Sequence, residues 1–201
     1  MRIVALADTH GFHRQVNVPD GDILIFAGDV TMNGNRKALV DFADWANELP
    51  HKYKIVIAGN HDFCFKKYRE ESERIIAPMM YLEDEGTIIE NIWIWGTPWT
   101  PTFGNWAFMG DEDKLAEKFD IPQVDILISH GPPRNMLDRA RVNNEHAGSI
   151  SLWQIPSPKL HIFGHIHEGY GSFIDTDTQY VNASIVDFFY DTVNSPVVID
   201  W

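Results

Sequence analysis

The chain has a single cysteine, Cys64, in 201 residues. No intrachain disulfide can form, and a zinc site built on several thiolates is excluded. Basic residues are scarce, with 16 Lys+Arg against 29 Asp+Glu and a formal net charge of −13. Such a surface repels a phosphate backbone, which argues against a long nucleic-acid track, and it attracts metal cations. Long apolar runs are missing as well. "ILIFAG" and "IVIAG" fall far short of the ~18–20 residues of a membrane span. The opening "MRIVALADTH" has no small-residue cleavage site and reads as a first strand, not a signal peptide. The expectation is a cytoplasmic protein with no membrane association and no obligate protein partner. Without a fixed-period repeat, low-complexity tract or linker, residues 1–201 are expected to form one domain.

What is present is a series of short, nearly continuous apolar runs: "RIVALA" 2–7, "DILIFA" 22–27, "YKIVIA" 53–58, "IWIWG" 92–96, "VDILIS" 124–129 and "KLHIFG" 159–164. Runs of this kind are strands covered on both faces. Leu39, Phe42, Ala43, Ala46 and Leu49 fall at helical spacing, and Pro50 ends that helix. Further helix is expected over 65–77, 111–119 and in pieces over 134–155. A meander of short strands is expected over 79–95, and a hairpin around Asp177. Early alternation of strand and helix, followed by strand pairs, predicts an α/β fold of sheets layered between helices.

Polar residues follow these strands at their C-terminal ends. Asp8 and His10 follow the first, Asp29 the second, and Asn60, His61 and Asp62 the third; His130 follows "VDILIS", and His165 and His167 follow "KLHIF". Ligands of open α/β sheets bind at that edge. Carboxylate oxygen and imidazole nitrogen without sulfur suit Mn, Fe or Zn. The donors outnumber the needs of one tetrahedral ion and match two ions sharing a carboxylate, the arrangement that clamps an in-line displacement at phosphorus. Phosphate esters can require accelerations of up to ~10²¹. A lone histidine acting as acid or base contributes about 10²–10⁴, so metal chemistry is favoured.

"DTH" 8–10, "GDV" 28–30, "GNHD" 59–62, "SHG" 129–131 and "GHIH" 164–167 resemble, in order and spelling, the motifs of calcineurin-like metallophosphoesterases. "GTPWTP", "HGPP" and "YVNAS" extend the likeness, through nearly the whole chain, to the metallophosphoesterase-domain-containing subgroup. The resemblance implies a four-layer α/β/β/α sandwich with a dinuclear centre. It assigns Asp8, His10 and His167 to one ion, Asn60, His130 and His165 to the other, and Asp29 to the bridge. His61 is then the catalytic residue at the leaving oxygen. The implied cofactors are two divalent ions, Mn²⁺ first, with Fe or Zn as alternatives. The implied activity is hydrolysis of a small, nucleotide-like phosphodiester by in-line attack of a metal-bridging hydroxide. A phosphomonoesterase or pyrophosphohydrolase on the same site, or a metal-binding scaffold without turnover, stays open.

An i, i+2 pair in extended chain faces one way, about 6.5–7 Å apart, so His165 and His167 can straddle two neighbouring ions. His146, Trp99 and Trp106 are candidate substrate contacts. Asp62 is expected to orient a neighbour or cap the next helix, His161 to lie in the core or just behind the site residues, and His13 and His51 to be solvated. Cys64 is expected to be a small buried apolar group.

Overall fold

The computed structural model describes residues 1–142 and 144–201. The strands are β1 Arg2–Leu6, β2 Ile23–Ala27, β3 Tyr53–Ile57, β4 Met80–Tyr81, β5 Glu85–Ile89, β6 Ile92–Thr97, β7 Thr100–Pro101, β8 Met109–Gly110, β9 Ile126–Ser129, β10 Leu160–Phe163, β11 Gly171–Asp175, β12 Thr178–Asn182 and β13 Val197–Asp200. The helices are α1 Arg36–Glu48, α2 Phe63–Lys67, α3 Arg69–Ile76, α4 Glu112–Lys118 and α5 Ile150–Trp153.

Two sheets carry the fold. One has the order β13-β1-β2-β3-β4 and the other β11-β12-β10-β9-β6-β5. Pairing is parallel through the middle of each and antiparallel at β13, β5 and β11. Alternation along the strands assigns the layers. Ile3, Ala5, Ile23, Ile25, Ile55 and Ile57 meet Ile94, Ile126, Ile128, Leu160, Ile162 and Val181 in one core between the sheets. Val4, Leu6, Leu24, Phe26 and Val56 turn the other way, against Leu39, Phe42 and Ala46 of α1. On the far side Leu127 packs with Leu115 of α4 and Leu152 of α5. The four-layer α/β/β/α arrangement follows. Parallel strands end at one edge, and the bridge Ala7↔Ser184 joins the two sheets there.

Three expected elements differ. The helix over 65–77 is two helices, broken at Tyr68 (φ −139°, ψ 51°). The segment 79–95 is no single meander, because β4 pairs in parallel with β3 while β5 and β6 join the other sheet. Within 134–155 only α5 is helical among the described residues. The buried Asp138 carboxylate binds the backbone N–H groups of Asn135 and Gly148, both at 3.0 Å. That local side-chain bonding competes with helix formation. Among the described residues no helix is long and apolar enough to cross a membrane.

Candidate metal centre

The strand ends deliver their polar residues to one place. Ligand-type atoms fall within 4.8 Å of one another in three groups: Asp8, His10 and His167; His10, Asp29 and His61; and Asp29, His130 and His165. His165 and His167 therefore enter different groups. They do so by another route than extended spacing. His165 has φ 69°, and a 3-10 turn, His167–Gly169, starts at the second histidine. The backbone reversal aims the two rings apart.

Asp29 lies between the groups. Its Oδ2 is 3.8 Å from His10 Nε2 and 3.3 Å from His130 Nε2. Its Oδ1 accepts from the His61 N–H at 2.8 Å. His130 Nε2 also lies 2.9 Å from Asn60 Oδ1. Asp8 Oδ1 lies 4.0 Å from His10 Nε2 and 3.8 Å from His167 Nε2. Asp8, His10 and Asp29 share His165's left-handed backbone, with φ 57°, 45° and 53°. Non-glycine residues there cost of order 1–3 kcal/mol each, a strain typical of functional sites.

Backbone carbonyls set the rings. Nδ1 of His61 lies 2.7 Å from the Met32 carbonyl, Nδ1 of His130 3.0 Å from Ala27 and Nδ1 of His167 3.0 Å from Asp187. A carbonyl can only accept, so each Nδ1 carries the proton and each Nε2 is left facing the site. Other groups hold the carboxylates. Asp8 Oδ2 accepts from Ser184 Oγ at 2.5 Å and from the His165 N–H at 2.9 Å. Asp62 does not cap α2. Instead it accepts from the N–H groups of Val30, Thr31 and Gly59 and from Thr31 Oγ1, at 2.7–3.1 Å. This ties the Asp29 loop to the Asn60 loop.

The donor set fits divalent cations. Asp8 Oδ1 is buried without a hydrogen-bond partner among the described residues, which costs about 1–3 kcal/mol or more unless a ligand satisfies it. Burial depresses His10 to about 4 and His165 to about 3, so both are neutral imidazoles, the ligating form, at neutral pH. Burial opposes the charges of Asp29 and His130, but each stabilises the other: the carboxylate is held well below its usual range and the imidazole well above. A proton on His130 thus supplies positive charge beside the carboxylate that a cation would supply in its place.

Next to these groups opens a cavity of about 790 Å³, lined by His61, Phe103, Trp106, His146, Phe188 and Tyr190 among others. Trp106 reaches it, but its ring stacks on His61 at 4.2 Å. His146 lines it too, with Nδ1 2.5 Å from Asp138 Oδ1. Trp99 does not. It is buried, donates from Nε1 to Asp84 Oδ2 at 2.9 Å, and lies 4.1 Å under Lys114 Nζ, so, against expectation, it is not placed to contact a substrate. His13 and His51 are buried rather than solvated. His13 Nε2 sits 3.0 Å from Asp41 beside Trp45, and His51 Nε2 3.1 Å from the Pro19 carbonyl. His161 is buried as expected, 2.8 Å from Ser129 Oγ. So is Cys64, whose thiol burial pushes up to about 12.

The residues missed from sequence are those that position the others: Ser184, Asp138, Asp187 and Tyr190. For Ser184 a signal existed, since it closes "YVNAS" just past the end of β12, as the other site residues lie just past theirs.

Known proteins resemble this chain. The calcineurin-like phosphoesterase family matches residues 1–169. Human metallophosphoesterase domain-containing protein 1 is 38% identical over 99% of this chain and 70% of its own length. The probable rhamnogalacturonate lyase C of Emericella nidulans is 39% identical over 85% of this chain, which covers 17% of that larger protein. The crystal structure of TT1561 of Thermus thermophilus, at 15% identity, superposes with a TM-score of 0.59 over 90% of this chain and 88% of its own; it speaks to fold alone. A family match over most of the chain, together with histidine and aspartate groups able to hold metal, places the chain in the calcineurin-like phosphoesterases, metal-dependent hydrolases of phosphoesters.

Proposed function

We propose that the chain hydrolyses a small phosphodiester with two divalent cations, Mn²⁺ foremost. Asp8, His10 and His167 would hold one, Asn60, His130 and His165 the other, and Asp29 both. The observation that carries this is Asp29 Oδ2, which stands within 4 Å of an Nε2 from each side, at 3.8 Å and 3.3 Å. When bound, such ions supply a nucleophile at neutral pH and positive charge at the phosphoryl oxygens.

The chain's own groups do the rest. His61 Nδ1 is fixed on the Met32 carbonyl, and Trp106 and His10 pack on its ring, with centroids 4.2 Å and 4.6 Å away. Its Nε2 is thus the ring atom that faces the leaving oxygen; the doubly protonated ring would pass its Nε2 proton there and keep the one on Nδ1, and the packing holds the ring in place. His146, anchored by Asp138, presents its other nitrogen as a contact for the substrate. The cavity of about 790 Å³ has room for both arms of a diester. The acidic surface supports a small substrate over a long nucleic acid.

The test is Asp29→Ala, read by metal analysis and by turnover of an aryl diester, an aryl monoester and 2′,3′- and 3′,5′-cyclic nucleotides. Wild type should hold two ions, favour diesters, and lose activity to a strong chelator until Mn²⁺ is restored. The variant should lose tight binding of both ions and all measurable turnover. Two tightly held ions in Asp29→Ala would refute the bridge. Wild type inert with every metal would favour a scaffold.

A further inference from the structure

Tyr190 stands beside the histidine groups in a conformation that needs support. Its φ is 65°, in the left-handed region that a bulky side chain enters at a cost of order 1–3 kcal/mol. A tight turn holds it. The Tyr190 N–H donates to the Asp187 carbonyl at 3.0 Å, and the Asp187 N–H to the Asp191 carbonyl at 3.0 Å. Asp187 Oδ1 accepts from the N–H groups of Phe189 at 2.8 Å and Asp191 at 3.0 Å. The Asp187 carbonyl is also the acceptor for His167 Nδ1. One residue therefore sets both the histidine and the tyrosine.

The tyrosine ring goes edge-on to three imidazoles. Centroids lie 4.8 Å from His10, 5.5 Å from His167 and 6.4 Å from His61. Tyr190 is half-buried and lines the cavity. The hydroxyls of Tyr53, Tyr81 and Tyr170 donate to Glu90, Glu83 and the Ser195 carbonyl. That of Tyr190 makes no such bond among the described residues. A phenylalanine would make the same ring contacts without a hydroxyl to desolvate. Because the ring lines the cavity, the hydroxyl is available to a group that enters it.

We propose that Tyr190 is a catalytic residue whose hydroxyl donates a hydrogen bond to a non-bridging phosphoryl oxygen of the substrate, on the His167 side of the cavity, next to the group of Asp8, His10 and His167. This rests on the phosphoester reading above. A phenol is protonated at neutral pH and has one O–H to give. A donor fixed in place beforehand acts most strongly as charge grows on the phosphoryl oxygens, so it lowers the barrier more than it strengthens ground-state binding. No covalent bond is made or broken at Tyr190.

Tyr190→Phe removes the hydroxyl and keeps the ring. Wild type and variant, both loaded with Mn²⁺, are compared in kcat and KM for an aryl diester, in orthovanadate affinity by calorimetry, in metal content and in Tm. The variant should keep two ions and its Tm. Its kcat should fall about 10²-fold with KM moved far less, and vanadate should bind about tenfold more weakly. Unchanged kcat and vanadate affinity would overturn the proposal. So would loss of metal or a lowered Tm, which would make Tyr190 structural. If wild type turns over no phosphoester but binds vanadate through the Tyr190 hydroxyl, the hydrolase reading fails and the contact stands. If wild type binds no vanadate, both fall.

Discussion

At the scale of single residues, the centre separates groups that face the cavity from groups that hold them. His61 and Asp62 are neighbours in sequence and differ in this way. His61 sits between Trp106 and His10 with its backbone on Asp29. His61→Ala should keep both ions and the fold yet lose turnover by roughly 10²–10⁴, with diesters of poor leaving groups hit hardest. Metal analysis beside kinetics checks this, and loss of an ion would reassign His61 to metal binding, a role its place in one of the three ligand groups also allows. Asp62 makes four bonds from a fully buried position. Asp62→Ala leaves three backbone N–H groups without an acceptor, at about 1–3 kcal/mol each. Urea unfolding of the metal-free protein should show a loss of about 3 kcal/mol or more. A loss under about 1 kcal/mol would mean that water replaces the carboxylate freely.

At the scale of elements, glycines let the loops approach. A Cβ on Gly164 would collide with Asp8 Oδ2 and lie 2.5 Å from the Ala7 Cβ; one on Gly59 would collide with Asp29 Oδ1. Gly164→Ala must therefore push β10's loop away from Asp8. It should lower Tm and weaken metal binding on the Asp8, His10 and His167 side, as titration with calorimetry would show. Wild-type affinity and Tm would mean that the loops yield without effect. The same geometry explains what could be read beforehand. Apolar runs locate strands, parallel strands share an edge, and polar residues just past each run therefore converge. Asp8, Asp29, Asn60, His130, His165 and His167 were legible for that reason. The loop over 134–142 and 144–149 and the turn over 187–191 were not. Their shapes come from single carboxylates, Asp138 and Asp187, bonding to backbone N–H groups, and that pairing has no period in sequence. Trp99 misled because an aromatic in a long loop looks the same whether it faces the cavity or lies under Lys114 and Lys118. His13 and His51 misled because a histidine's partner, here Asp41 or the Pro19 carbonyl, is invisible until the chain is folded.

At the scale of the whole molecule, the centre ties the two sheets together where their strands end. β1, β2 and β3 supply Asp8, His10, Asp29 and Asn60 from one sheet, and β9 and β10 supply His130, His165 and His167 from the other. Between those ends stand a carboxylate oxygen on Asp8 that has no hydrogen-bond partner among the described residues and a carboxylate on Asp29 whose neighbour is the raised His130. A chain with a formal charge of −13 offers little else to neutralise them. Cations that bind only the folded state stabilise it by mass action, by about 2.7 kcal/mol per site at a hundred times Kd. For a chain of about this length each kcal/mol moves Tm by roughly 2–4 °C. Saturating Mn²⁺ should therefore raise Tm by roughly 5–10 °C per ion over chelator-treated protein. The rise should halve where only one side of the centre is filled. His165→Gly and His167→Gly each cripple one side, so each should retain about half of the shift and together show none. Scanning calorimetry in graded Mn²⁺ distinguishes the cases. A Tm that ignores the metal, or two single variants that both abolish the shift, would show that the sheets close without the ions or that the two histidines serve one ion in common.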